Sequence, residues 1–268
     1  MCYDGNTIPP EPPAEANTAR GEEIVLTGAD GNRFNAYIAR PQRAGQSQIL
    51  ILPDINGLGL FYKELALRFA EQGITALAID FFGHSAGVNA RDENFNGFEH
   101  AAQLTPPGFF SDVQASLEYL REDEGSRRAT FVTGFCIGGS LTLLTGTQEF
   151  GLQGLIPFYA ARMDMPVAGS KGSVLEEALR VKAPVLGFFG SADPVAPVDL
   201  TRQLDERLDQ AGVPHSITIY EGAPHGFFSR SLPEFASICD EAWQRTLAFV
   251  EGGDVGGSLP GSGVVASS

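Results

Sequence analysis

Apolar residues fall in short blocks separated by polar, glycine- and proline-rich stretches, and from Gln48 onward these blocks alternate between two periods. Ile49-Leu50-Ile51-Leu52 is an apolar run of strand length with no polar face. Leu60–Gln72 repeats its apolar positions every three or four residues, which predicts an amphipathic helix. Ile74–Asp80 reads as a second strand, and after a long connection Phe110–Arg121 reads as a helix. Then come the strand Ala129–Thr133, a further buried strand over Pro184–Gly190, and the alternating run His215–Tyr220. Strands apolar on both faces, interleaved with helices, imply an α/β fold with a mainly parallel central sheet and helices on both faces. Upstream, Glu23–Thr27 and Arg33–Ala39 flank Ala29-Asp30-Gly31-Asn32, the pattern of an antiparallel hairpin added at the sheet edge.

At 268 residues, with no internal repeat and no mid-chain linker, the pattern fits one domain over residues 23–251. Residues 1–22 read as an extended arm, since residues 5–16 hold four prolines and two glutamates. Residues 252–268 are rich in glycine and serine and are expected to be a flexible tail.

Three strand ends carry candidate chemistry. Ala129–Thr133 runs into Gly134-Phe135-Cys136-Ile137-Gly138-Gly139 and then a helix-compatible stretch. This is the strand–turn–helix setting of a nucleophile elbow, in which glycines two residues to either side of the nucleophile leave room for a very tight turn. The turn presents the nucleophile at a helix N-terminus, where the helix dipole favours a thiolate. The plain alternative for Cys136 is a small buried hydrophobe. Asp193 follows the strand Pro184–Gly190 and is held between Pro194, Pro197 and the strand end. His225 follows His215–Tyr220 in a Gly/Pro-rich loop. A turn cap is the alternative for Asp193, and a satisfied loop histidine for His225. The order nucleophile, acid, histidine, each after a strand, is that of the α/β-hydrolase fold.

The remaining histidines are weaker candidates. His84 reads as part of a polar loop, His100 as part of an irregular stretch, and His215 as the start of a strand. No two histidines have metal-ligand spacing, and Cys2, Cys136 and Cys239 are scattered, so neither a metal nor a cofactor is expected. The formal net charge of −15 argues against nucleic acid as a partner. An anionic substrate would therefore need local arginines to hold it. No segment approaches membrane-span length and no apolar leader is visible. With an odd number of cysteines, a reducing, cytoplasmic location is expected.

The elbow, Gly190-Ser191-Ala192-Asp193-Pro194-Val195, His225-Gly226-Phe227 and Leu52-Pro53-Asp54-Ile55-Asn56-Gly57-Leu58 together resemble the dienelactone hydrolase family, a cysteine-nucleophile branch of the α/β-hydrolases. The resemblance spans roughly residues 23–250. It implies hydrolysis of a carboxylic ester or lactone, of the carboxymethylenebutenolidase type, with a small-molecule substrate and no cofactor. By that resemblance Cys136 attacks the carbonyl, His225 moves the proton, Asp193 orients His225, and the backbone N–H groups of Ile55 and Ile137 bind the oxyanion. The family's small size suits a monomer. Two positions depart from the family pattern. A family Glu that touches the resting thiol is replaced by Asp54, one methylene shorter, with loop capping as its other reading. A substrate-gripping Arg four residues after the catalytic His is replaced by Ser229, with Arg230 one place later; Arg91 is the only counterpart offered for a second family arginine. Arg230 in a site with His225 implies an anionic substrate, and Arg230 turned to solvent implies a neutral ester. The alternative activity is that of a small neutral-ester or thioester hydrolase; acyl transfer, as in polyester synthases, and a non-catalytic hydrolase-like binding protein are the competing classes.

Overall fold

A computed structural model describes residues 3, 7–12, 17–91, 95–122, 128–252 and 254–255. The chain begins with an antiparallel hairpin, β1 (Ala19–Thr27) and β2 (Arg33–Pro41). β1 therefore starts four residues inside the stretch read as an arm. There follow β3 (Ser47–Leu52), α1 (Leu60–Glu71), β4 (Thr75–Ile79), α2 (Gly83–Ala86), α3 (Gly97–Ala101), α4 (Pro106–Glu122), β5 (Ala129–Phe135) and α5 (Ile137–Thr145). The rest is β6 (Gly154–Phe158), α6 (Val174–Glu177), β7 (Val185–Gly190), α7 (Val198–Ala211), β8 (His215–Tyr220) and α8 (Ala236–Gly252). Nearly all of the expected tail lies outside the described residues.

The eight strands form one sheet in the order β1-β2-β4-β3-β5-β6-β7-β8, parallel from β4 through to β8. Alternation within each strand divides the core. Ile49 and Ile51 of β3 face Leu65 and Phe69 of α1 and Trp243 of α8, whereas Leu50 and Leu52 face Val113 and Leu117 of α4. β5 divides likewise, with Phe131 and Phe135 on the first side and Val132 on the second. Burial on both faces is what continuous apolar runs require. No described helix is long and apolar enough to cross a membrane.

The strand order decides where the site lies. β3 pairs with β4 on one side and β5 on the other, so the chain reverses its winding there, and the loops leaving β3 and β5 open a crevice at the carboxyl ends. The register Leu52↔Gly134 brings the Asp54–Asn56 loop beside Cys136. At the far side Gly190↔Tyr220 brings the loop after β7 beside that after β8.

Candidate active site

The sharp turn at the end of β5 is built from close contacts. Cys136 has φ 58° and ψ −119°, a conformation that L-residues rarely adopt and that is characteristic of strained functional turns. A methyl group at Gly134 would lie 2.1 Å from the Gly138 carbonyl oxygen, and one at Gly138 would lie 2.2 Å from the carbonyl oxygens of both Leu52 and Pro53. The two glycines therefore hold β3, β5 and α5 in mutual contact. Cys136 N–H donates to the Phe158 carbonyl at 3.2 Å, and Ala161 N–H donates to the Cys136 carbonyl at 3.0 Å. The strand end of β6 and the three residues after it are thus wrapped around Cys136. Ile137 opens α5, and helices leave their first N–H groups without intrahelical acceptors.

Asp193 and His225 meet through the pairing of β7 with β8. Ser191 N–H donates to the Tyr220 carbonyl and Ala192 N–H to the Ala223 carbonyl, tying the two loops together. His225 Nδ1 lies 2.7 Å from Asp193 Oδ2, with both side chains almost fully buried. The other oxygen of Asp193 accepts from Val195 N–H at 2.7 Å and Ala196 N–H at 3.0 Å. Those bonds fix the carboxylate, and its contact with Nδ1 leaves Nε2 as the ring nitrogen on the far side from Asp193. Tyr159, one residue past β6, sets its ring edge-on to His225 with centroids 5.0 Å apart. Phe158, just before it, and Ala161, two residues after it, bond the Cys136 backbone, so the segment that borders the imidazole also holds the turn at Cys136.

Cys239 has a different setting. Its thiol donates to the Phe227 carbonyl, and burial pushes its pKa up to about 11, so it is a protonated structural thiol. Cys2 lies outside the described residues.

The dienelactone hydrolase family model matches residues 34–252. The chain belongs to that family. It is accordingly a carboxylic ester hydrolase with the α/β-hydrolase fold. A carboxymethylenebutenolidase of Rhodococcus opacus is 29% identical over 263 residues, covering 94% of this chain and 96% of that protein. A protein of Bradyrhizobium sp. named as a 2-oxo-3-(5-oxofuran-2-ylidene)propanoate lactonase is 27% identical over 235 residues, covering 84% of this chain and 92% of the other. A solved structure from Klebsiella pneumoniae, described as a dienelactone hydrolase, superposes with a TM-score of 0.78 at 23% identity over 88% of this chain and all of that one, and so supports the fold alone.

Arg91, Arg230 and Asp54 each have partners of their own. The side chain of Arg91 is buried, with Nε 2.7 Å from Asp80 Oδ2, Nη1 donating to the Asn89 carbonyl and Nη2 to that of Gly87. These contacts fold back the loop after β4 and set the guanidinium beside Asp80. Arg230 turns to the surface, about half exposed, and pairs with Glu11 at 2.7 Å while its N–H donates to the Ile8 carbonyl. The one-residue offset from the family position has moved this guanidinium onto the arm. Asp54 accepts from Asn56 N–H at 2.8 Å through Oδ1 and from Tyr3 N–H at 2.8 Å through Oδ2. It caps its own loop and secures the arm beside Ile55, which is buried.

His84 and His100 belong to the short helices α2 and α3, not to loops. His84 Nε2 lies 3.5 Å from both Asp30 and Asp112, three side chains whose spacing would admit a metal ion. Asn32 donates to both oxygens of Asp112, which already gives that buried carboxylate partners. His215 opens β8 as expected and lies 3.2 Å from Asp205.

Sequence reasoning missed Tyr3 and Tyr159. Nothing in the pattern around either residue distinguishes it from an ordinary core tyrosine. The one mark on Tyr159 is its φ of 36°, which only coordinates reveal.

Proposed function

We propose that this hydrolase opens esters or lactones through Cys136, His225 and Asp193, with a thioester acyl-enzyme. The observation that carries this reading is the buried 2.7 Å contact between His225 Nδ1 and Asp193 Oδ2, together with a cysteine held at positive φ in the sharp turn after β5. His225 Nε2 takes the Cys136 proton, and the thiolate adds to the carbonyl carbon. The resulting oxyanion accepts from the N–H groups of Ile137 and Ile55. Collapse breaks the C–O bond, and the leaving oxygen takes its proton from His225; in a lactone that alcohol stays attached to the acyl chain. Water then adds to the thioester with His225 again as base, and the thiolate leaves. Asp193 keeps the imidazole's tautomer and stabilises its cation throughout. A thiol nucleophile works only when reduced, which fits a cytoplasmic setting.

The names of the Rhodococcus and Bradyrhizobium relatives favour an unsaturated lactone as substrate. A second reading, a small neutral ester, is favoured by the engagement of Arg91 with Asp80 and of Arg230 with Glu11. The test measures kcat/KM of the wild type and Cys136→Ala on a carboxylate-bearing dienelactone and on a neutral aryl ester. Activity on either that vanishes in Cys136→Ala supports the reaction, and the ratio between the two substrates chooses the substrate class. Full activity in Cys136→Ala would refute the nucleophile.

A further inference from the structure

Tyr3 lies well outside the matched family region, 34–252, yet it is buried against three segments that carry the site. Its backbone is clamped to the loop after β3: Tyr3 N–H donates to Asp54 Oδ2, and Asn56 Nδ2 donates to the Tyr3 carbonyl at 2.6 Å. These are the residues on either side of Ile55. Its ring stacks on Phe61 with centroids 3.7 Å apart and reaches the edge of Phe135, the residue before the nucleophile. Its hydroxyl donates to the Phe228 carbonyl at 2.7 Å, three residues past His225. That hydroxyl also bonds the hydroxyl of Tyr159. A phenol has one proton and a carbonyl has none to give, so with the Tyr3 proton on Phe228 the Tyr159 hydroxyl is the donor. Tyr159 in turn borders the His225 ring.

We infer that Tyr3 is a positioning residue of the active site, setting the Ile55 N–H against the turn at Cys136 by tying the loop after β3 to Tyr159 and to the loop after β8. This rests on the reaction proposed above. An oxyanion donor works only where the developing charge forms, and a displacement near 1 Å is enough to cost about 100-fold in rate. The arm itself is well anchored: the Pro10 carbonyl accepts from Trp243 Nε1, and the Ile8 carbonyl from Arg230 N–H. Tyr3 is thus held in place from both directions, by the arm's own anchors and by Asp54.

The test uses Tyr3→Phe, which keeps the ring and both backbone bonds, and Tyr3→Ala, which loses the ring. Single-turnover acylation by a neutral aryl ester is measured beside the rate of Cys136 alkylation by iodoacetamide, an attack that forms no oxyanion. Tyr3→Phe is expected to slow acylation about 10-fold and Tyr3→Ala about 100-fold. The half-saturating substrate concentration and the alkylation rate should stay within about twofold. Acylation unchanged in Tyr3→Phe, acylation and alkylation falling in parallel, or faster turnover on removal of the ring would each overturn the inference. Should Tyr3→Ala not fold, Tyr3→Phe carries the decision. Cys136→Ala run alongside keeps the two claims separate. Retained turnover there removes the thiol mechanism, whereas normal acylation by Tyr3→Phe in an enzyme that needs Cys136 removes only the role of Tyr3.

Discussion

At the scale of single residues, the titratable groups divide between chemistry and support. The reaction proposed above puts Asp193 in the first group, and its two oxygens are shared between His225 Nδ1 and two backbone N–H groups. Asp193→Asn would present an amide to Nδ1 and select the wrong imidazole tautomer. A kcat loss of about 10⁴-fold is expected, with KM little changed. A variant that kept more than about a tenth of wild-type kcat would make Asp193 structural. Asp112 belongs to the second group. Burial, the largest influence, raises its pKa from 3.8 to about 6, against the opposing pull of Asn32 and His84 and with a further push from Asp30. A carboxyl whose folded pKa is raised contributes stability below its unfolded pKa, and that contribution is lost as pH rises through the folded value. Asp112→Asn has no such loss. The melting temperature of the variant relative to wild type should therefore climb between about pH 4 and pH 7, and a flat difference across that window would contradict the assignment.

At the scale of elements, the elbow works because β3, β5 and α5 approach closer than any side chain allows. Gly138→Ala places a methyl group 2.2 Å from two backbone oxygens, with no flexible neighbour to yield. We expect a destabilisation above about 2 kcal/mol and loss of turnover together, read by thermal melting and steady-state assay. A soluble, active, equally stable Gly138→Ala would mean that the turn is looser than described. Arg91→Ala strands the buried Asp80 carboxylate, and a loss of about 3–5 kcal/mol in unfolding free energy is expected. Its effects on anionic and neutral substrates should match; a selective loss on the anion would restore Arg91 as a substrate ligand. Much of this level was legible in the sequence. Gly134, Cys136 and Gly138 declare a tight turn by spacing alone, and β3 and β7 declare burial on both faces by their lack of polar positions. His84 reads as loop and His100 as irregular chain because helices of four and five residues are too short to show a period.

At the scale of the whole molecule, what the sequence could not convey is which distant segments meet. Asp54 looks like any loop acid until Tyr3 is found on its carboxylate, 51 residues away in the chain. Arg230 looks placed for a substrate because it follows His225 closely, but its direction depends on Glu11, 219 residues away. Pairings of that kind follow from tertiary packing and leave no local period. The Arg230–Glu11 pair is exposed, so Arg230→Ala should alter stability by no more than about 1 kcal/mol and leave substrate selectivity unchanged. A selective loss on carboxylate-bearing substrates would return Arg230 to the site. The central claim, that the hydrolysis runs through an acyl group on Cys136, has a direct readout in the mass of the intact protein. Enzyme mixed with a slowly hydrolysed aryl ester and quenched in acid within the first turnover should gain the mass of one acyl group. Peptide mapping should find it on Cys136, hydroxylamine should remove it as a thioester, and Cys136→Ala should not acquire it. An acyl group on another residue, or turnover with no covalent adduct in the wild type, would contradict the account.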